Sequence, residues 1–244
     1  MKAVIIAAGR GSRLESQHRG MPKTLLKVGD RRIIDSILDG IHDSGIREVV
    51  IVTGFQADIL KDQLRNTVPA SISLEFCFNP EWKLSNGISV LSAEKFITPG
   101  DEFILLMSDH IFQSEMLKIT VETPIEPDQA LLALDFKLNK IPDLNDGMKV
   151  RCRRIAKSRF QITGLDKKYE DYQAIDCGMF KLNYGFFQEL RNCIELGRDS
   201  LSDTCNAYAA ENRMIGIDIG ESRWIDLDSP ELFDLKNLIS RITE

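Results

Sequence analysis

A doubly wound α/β fold with a mixed, mostly parallel sheet is the architecture that this sequence predicts. Three observations carry that reading. Over about the first 110 residues, apolar runs of strand length alternate with amphipathic stretches of helical length. Those runs are continuously apolar, as strands are when both faces of a parallel sheet are covered. After Pro124 the rhythm changes to polar, charged stretches, which fit strands inserted in the C-terminal half.

The elements follow in order. Residues 3–7 ("AVIIA") form the first strand. Residues 32–44 form a helix, with Ile33, Ile34, Ile37, Leu38 and Ile41 on one stripe and Gly45 as its stop. Residues 49–53 ("VVIVT") make the second strand, 57–64 a helix, and 72–78 the third strand. A helix at 88–96 leads to the fourth strand at 103–107 ("FILLM"). This alternation is half of a doubly wound sheet. Residues 130–136 read as a strand. The stretch 137–172 is irregular, with room for an antiparallel strand at 149–155. Residues 174–181 ("AIDCGMFK") form a strand, 184–196 and 201–211 helices, and 214–218 a short strand. Ser229, Pro230 and Glu231 open a last helix, with Ser at the N-cap and Pro in the first turn. No repeat or flexible linker divides the chain, so a single domain over 1–244 is expected.

The chain carries 31 basic and 37 acidic side chains, a net charge of −6. An acidic chain is a poor match for non-specific nucleic-acid binding. Any anion site must therefore be a local cluster set against the global charge. Five cysteines, without a C-x-x-C pair, read as reduced thiols. No apolar run reaches the ~18 residues of a membrane span. The first apolar run leads into a glycine turn and reads as a strand, not a secretion signal, so the cytoplasm is the expected location.

That turn, "AAGRGSRL" at residues 7–14, is neither a P-loop nor a dinucleotide fingerprint. The third glycine of the fingerprint would fall at residue 14, which is Leu14. A tight turn using Gly9 and Gly11 for their free φ is the plain reading. Arg10 and Arg13 add charge to it. Lys23, behind Pro22, is a second positive arm on the same connection. Glycine N–H groups with Arg13 and Lys23 make a surround for a triphosphate.

"AAGRGSRL…PKTLLKVGD" resembles the signature of the sugar-nucleotidyltransferase superfamily, G-x-G-[ST]-R-[LM] followed by P-K-x-L. The resemblance implies a Rossmann-like fold whose first loop wraps a nucleoside triphosphate. Ala7, Ala8, Gly9, Gly11 and Ser12 would line it. Arg13 would contact the β and γ phosphates and Lys23 the α-phosphate. About 1–123 would be the nucleotide-binding half, and 124–244 the acceptor half with the second metal ligand.

Nucleotidyl transfer needs alignment and charge neutralisation, commonly by Mg²⁺ held on one or two carboxylates. "FILLMSDH" puts Asp109 at the C-terminal end of a strand, where such groups are expected. An N-cap for a following helix is the plain alternative. "RWIDLDSPE" offers Asp226 and Asp228, two apart and so on one side of an extended segment. The resemblance assigns the metal to Asp109 and Asp226, with Asp228 beside them. In "NPEWKLSNGIS", it assigns Asn79, Asn86 and Gly87 to the base. It assigns Lys157 to the acceptor's phosphate, and Asp176 and Gly178 to its hydroxyls.

Within the superfamily, "NGISVL", "MSDHIF", "AKS…AIDCGMF" and "WIDLDSPE" look like the myo-inositol-1-phosphate cytidylyltransferases. Departures are Ala156 for the glycine before Lys157, Cys177 for threonine, and the residues after Glu231. The implied reaction joins CTP to inositol 1-phosphate and releases pyrophosphate, with Mg²⁺ as cofactor. Other acceptors stay open: a sugar 1-phosphate with UTP or dTTP, or phosphocholine or a phosphonate with CTP. So does a nucleotide-sensing regulator on the same fold. The expected partners are the two small-molecule substrates, with neither nucleic acid nor a membrane span, and a homodimer left open.

Overall fold

The computed structural model describes residues 1–14, 20–65, 67–228 and 242. In chain order the strands are β1 (Lys2–Ala7), β2 (Lys27–Val28), β3 (Arg31–Arg32), β4 (Glu48–Thr53), β5 (Ser73–Phe78), β6 (Glu102–Met107) and β7 (His110–Phe112). Then come β8 (Ala130–Asp135), β9 (Lys149–Arg154), β10 (Arg159–Asp166), β11 (Ala174–Asn183), β12 (Met214–Asp218) and β13 (Trp224–Asp226). The helices are α1 (Ile33–Asp43), α2 (Ala57–Leu64), α3 (Asn86–Ser92), α4 (Ser114–Glu122), α5 (Phe186–Glu195) and α6 (Leu201–Ala210). The last helix expected from Ser229 lies outside the described residues.

One nine-stranded sheet runs through both halves, in the order β5-β4-β1-β6-β11-β8-β12-β10-β9. β1 lies between β4 and β6 and is parallel to both. β11 runs antiparallel to β6 and β8, and β10 antiparallel to β12 and β9. The sheet is therefore mixed and mostly parallel, as expected. Successive β1 side chains enter opposite layers. Ala3, Ile5 and Ala7 face the layer that holds α1, while Val4, Ile6 and Ala8 face the layer with α3, α5 and α6. All five stripe residues of α1 are buried in the first layer. Gly45, at φ +88°, follows the helix as its left-handed stop.

One expected element needs correction, the antiparallel strand expected at 149–155 is present as β9, and the alternative reading of Asp109 as an N-cap is not met. The 88–96 helix is α3 ending at Ser92, followed by a 3₁₀ turn at Glu94–Phe96. The irregular 137–172 stretch holds the β9–β10 hairpin. Finally, no helix starts at Asp109. The chain goes straight into β7, which pairs antiparallel with β13.

Candidate active site

The site lies at the C-terminal ends of the parallel strands. After β1 the chain turns through the glycines into a 3₁₀ turn, Ser12–Leu14, and Leu14 seals the turn to the core. Gly11 sits at φ +65°, and a Cβ there would stand 2.9 Å from Cβ of Lys23. The glycine is needed because the lysine side chain runs past it. The two pieces of the motif are thus one packed unit. Lys23 opens its own 3₁₀ turn behind Pro22 and is 8% exposed.

The carboxylates arrive by another route. β7 and β13 are too short to form a sheet unaided, but their pairing sets His110 opposite Asp226. Leu227 N–H donates to the Asp109 carbonyl at 3.0 Å, which locks Asp109 beside the same segment. Lys23 Nζ then meets Asp109 Oδ2 at 3.0 Å and also Asp228. Arg13 meets Asp228 at 3.0 Å and also Asp146, which lies in turn 3.1 Å from Lys167. His110 Nδ1 lies 2.7 Å from Asp109 Oδ1, and its ring stacks on Trp224 at 5.4 Å. The Trp224 indole N–H donates to buried Asp135 at 2.9 Å.

These contacts perturb the titration of the cluster. Burial alone would raise Asp109, but Lys23 and the hydrogen bond with His110 outweigh it and hold the carboxyl far below the usual range. His110 is pushed up to about 9: the neighbouring Asp226 and Asp109 overcome its burial. Asp226 is pushed up to about 7 by burial, with Asp109 and Asp228 adding to the effect against His110 and Lys23. Asp176 is pushed up to about 6, chiefly by burial.

A divalent cation fits this donor set. Asp226 Oδ1 is buried without a hydrogen-bond partner, and lies 4.0 Å from His110 Nδ1. One ligand atom each from Asp109, His110 and Asp226 lies within 4.8 Å of the others. Asp109 and Asp226 are the carboxylates of this group, and a hard cation between them would relieve their mutual repulsion.

The cluster opens onto a cavity of about 510 Å³. Asp176 reaches it from an irregularity in β11, where the register shifts between Asp176 and Phe180. Gly178, at φ +67°, donates its N–H to Asp176 Oδ1 at 2.7 Å. A Cβ at Gly178 would come 2.7 Å from His110 Nε2, so the glycine leaves the space that the imidazole fills.

The remaining residues singled out in the sequence are placed as follows. Ala7 and Ala8 are buried at the end of β1; Gly9 and Ser12 are exposed in the turn. Asn79 is buried and ties its loop to α3, donating to Ser89 Oγ and accepting from Glu81 N–H. Asn86 lines the cavity and accepts from Leu201 N–H at 2.9 Å. Gly87 lies against the backbone of the α5–α6 connection, where a Cβ would stand 2.2 Å from Asp199 O. Lys157 is exposed in the β9–β10 turn and is not on the cavity wall, whereas Lys167 is. Sequence reading missed His110, Asp135, Asp146 and Lys167. "SDH" at a strand end was the one available signal for His110.

A family model described as nucleotidyl transferase matches residues 2–235. The chain belongs to the nucleotidyl transferase family. A bifunctional IPC transferase and DIPP synthase of Aquifex aeolicus is 28% identical over 236 residues, covering 94% of this chain and 49% of the relative. The chain thus spans about half the length of that relative. A CTP:phosphoglutamine cytidylyltransferase of Campylobacter jejuni is 27% identical over 220 residues, covering 84% of this chain and 83% of the relative. In fold, the nucleotidyl transferase matches the inositol-1-phosphate CTP transferase from T. maritima with a TM-score of 0.80 at 20% identity, covering 98% and 96% of the two chains. A UDP-glucose pyrophosphorylase complexed with UDP-glucose matches with a TM-score of 0.83 at 15% identity, covering 98% of both. None of the helices among the described residues is long and apolar enough to cross a membrane.

Proposed function

We propose that this nucleotidyl transferase joins CTP to a phosphorylated cyclitol, inositol 1-phosphate, and releases pyrophosphate. A phosphate oxygen of the acceptor attacks the α-phosphorus of CTP. The bond from that phosphorus to the β-bridging oxygen breaks, and pyrophosphate leaves with the electron pair. No general base is required, because a phosphate monoester is anionic at neutral pH. The observation that supports the reading is that Lys23 pairs with Asp109 and Asp228, and Arg13 with Asp228, while these two carboxylates and Asp226 line one cavity.

Lys23 is placed to hold the α-phosphate and offset the charge that builds there. Its carboxylate partners keep it protonated despite burial. Arg13 would hold the departing pyrophosphate. Asp109 and Asp226 would hold Mg²⁺, with Asp228 beside them; bound there, the ion would neutralise phosphate charge and align the reacting oxygens. Lys167, which is exposed like Lys157 but lines the cavity, would hold the acceptor's phosphate in its stead. Asp176, whose carboxyl accepts from Gly178, has capacity left to accept from acceptor hydroxyls.

The test is pyrophosphate release with Mg²⁺, crossing CTP, UTP, dTTP, GTP and ATP against inositol 1-phosphate, glucose 1-phosphate, phosphocholine and aminoethylphosphonate. Release with CTP and inositol 1-phosphate is expected. Release with another pair would overturn the acceptor while keeping the chemistry. Tight nucleotide binding with silence across the panel would favour a regulator.

A further inference from the structure

Between Val150 and Leu165 the sequence holds no acidic residue but five basic ones: Arg151, Arg153, Arg154, Lys157 and Arg159. In the fold they share the β9–β10 hairpin at the end of the strand order, where β9 also pairs with β11, but only through Lys149 and Val150. None of the five forms an ion pair among the described residues, in a chain with 37 acidic side chains and a net charge of −6. Arg151, Arg153, Arg154 and Lys157 are exposed. Ile155, beside the turn, is 49% exposed between cations.

Edge strands often carry a charge that blocks pairing with other chains. That explains one or two charges of either sign. It does not explain five of one sign with an apolar residue at the tip. The nearby aromatic faces are taken: Arg151 covers Tyr169 at 3.9 Å and Arg154 covers Phe160 at 5.1 Å. They are not free to stack nucleic-acid bases. The hairpin is also oriented. Asp218 N–H donates to Ser158 O at 3.0 Å, which ties the turn to the C-terminal end of β12, the end of the sheet where the cavity opens.

We infer that the β9–β10 hairpin docks on an anionic lipid bilayer, with Arg153, Arg154 and Lys157 against phosphate headgroups and Ile155 entering the interface. The charge is complementary, and clustered basic residues with an apolar tip are the chemistry such a surface holds. Docking would turn the cavity end of the sheet toward the bilayer. The inference does not depend on which substrates are used.

The test is flotation of the full chain with vesicles of phosphatidylcholine alone and of phosphatidylcholine with about one third phosphatidylserine. Binding to the anionic vesicles only, weakening as salt rises, is expected. The double variant Arg153→Glu/Arg154→Glu should bind at least about tenfold more weakly, and Ile155→Ser measurably more weakly, with turnover on soluble substrates unchanged. Failure to bind anionic vesicles at low salt would overturn the inference. So would equal binding by the double variant, or binding to RNA without binding to vesicles.

Discussion

Two basic clusters stand out in this acidic chain, and they are built in opposite ways. Lys23 and Arg13 are met by carboxylates from segments more than 80 residues away in sequence, Asp109, Asp146 and Asp228. The hairpin cations are local neighbours on one ribbon and meet no carboxylate among the described residues. The first cluster is costly to assemble, since Lys23 must be buried and then compensated. The second costs the fold almost nothing. The difference suggests how each is used: the first surrounds small phosphates inside the molecule, and the second faces outward.

The sharpest way to break the comparison is Lys23→Ala. Turnover should fall about 10²–10³-fold, read as steady-state pyrophosphate release, while the hairpin double variant stays at the level of the unaltered chain. Similar losses from both would erase the distinction.

Gly178→Ala should cost about 1–3 kcal/mol. The residue sits at φ +67°, and its Cβ would press on His110. Calorimetry should show a drop in Tm of several degrees. No change in Tm would mean that the imidazole is not packed against this glycine.

Asp176→Asn sharpens the same point through pH. A carboxyl whose folded pKa is raised to about 6 contributes stability that is present below its unfolded value of 3.8 and lost as pH rises through 6. Asn carries no such penalty. The variant should be more stable by about 3 kcal/mol at pH 8, and the gain should vanish near pH 3. The acceptor KM should rise. A pH-independent difference would contradict the buried-carboxyl account.

Arg153→Glu/Arg154→Glu should shift stability by no more than about 0.5 kcal/mol, checked by urea unfolding. A larger loss would show that these side chains support the fold.

The sequence displayed the parts of this molecule that are local. The buried parallel strands announce themselves as continuous apolar runs, and the α1 stripe as a helical period. The glycine turn and Lys23 were legible because both pieces of the motif lie within about seventeen residues of each other. The rest depends on distant pairing. β7 and β13, three residues each, carry no period of their own, yet their register brings His110 and Asp226 together. α4 went unseen because Ile119, Thr120 and Val121 are β-branched, a composition equally suited to a strand. Lys157 and Lys167 are both exposed lysines of the same region, and only the fold shows that Lys167 lines the cavity while Lys157 lies in the β9–β10 turn.

The most direct test of the central claim compares the unaltered chain with Asp226→Asn. CTP binding would be measured by calorimetry alongside Mg²⁺-dependent pyrophosphate release with CTP and inositol 1-phosphate. Asp226 Oδ1 is buried without a hydrogen-bond partner, so neutralising this carboxyl breaks no hydrogen bond there and should leave the fold intact. The account predicts that the variant still binds CTP within a few-fold and loses turnover by about 10²-fold or more. Undiminished turnover in Asp226→Asn, at the same Mg²⁺ concentration, would contradict it.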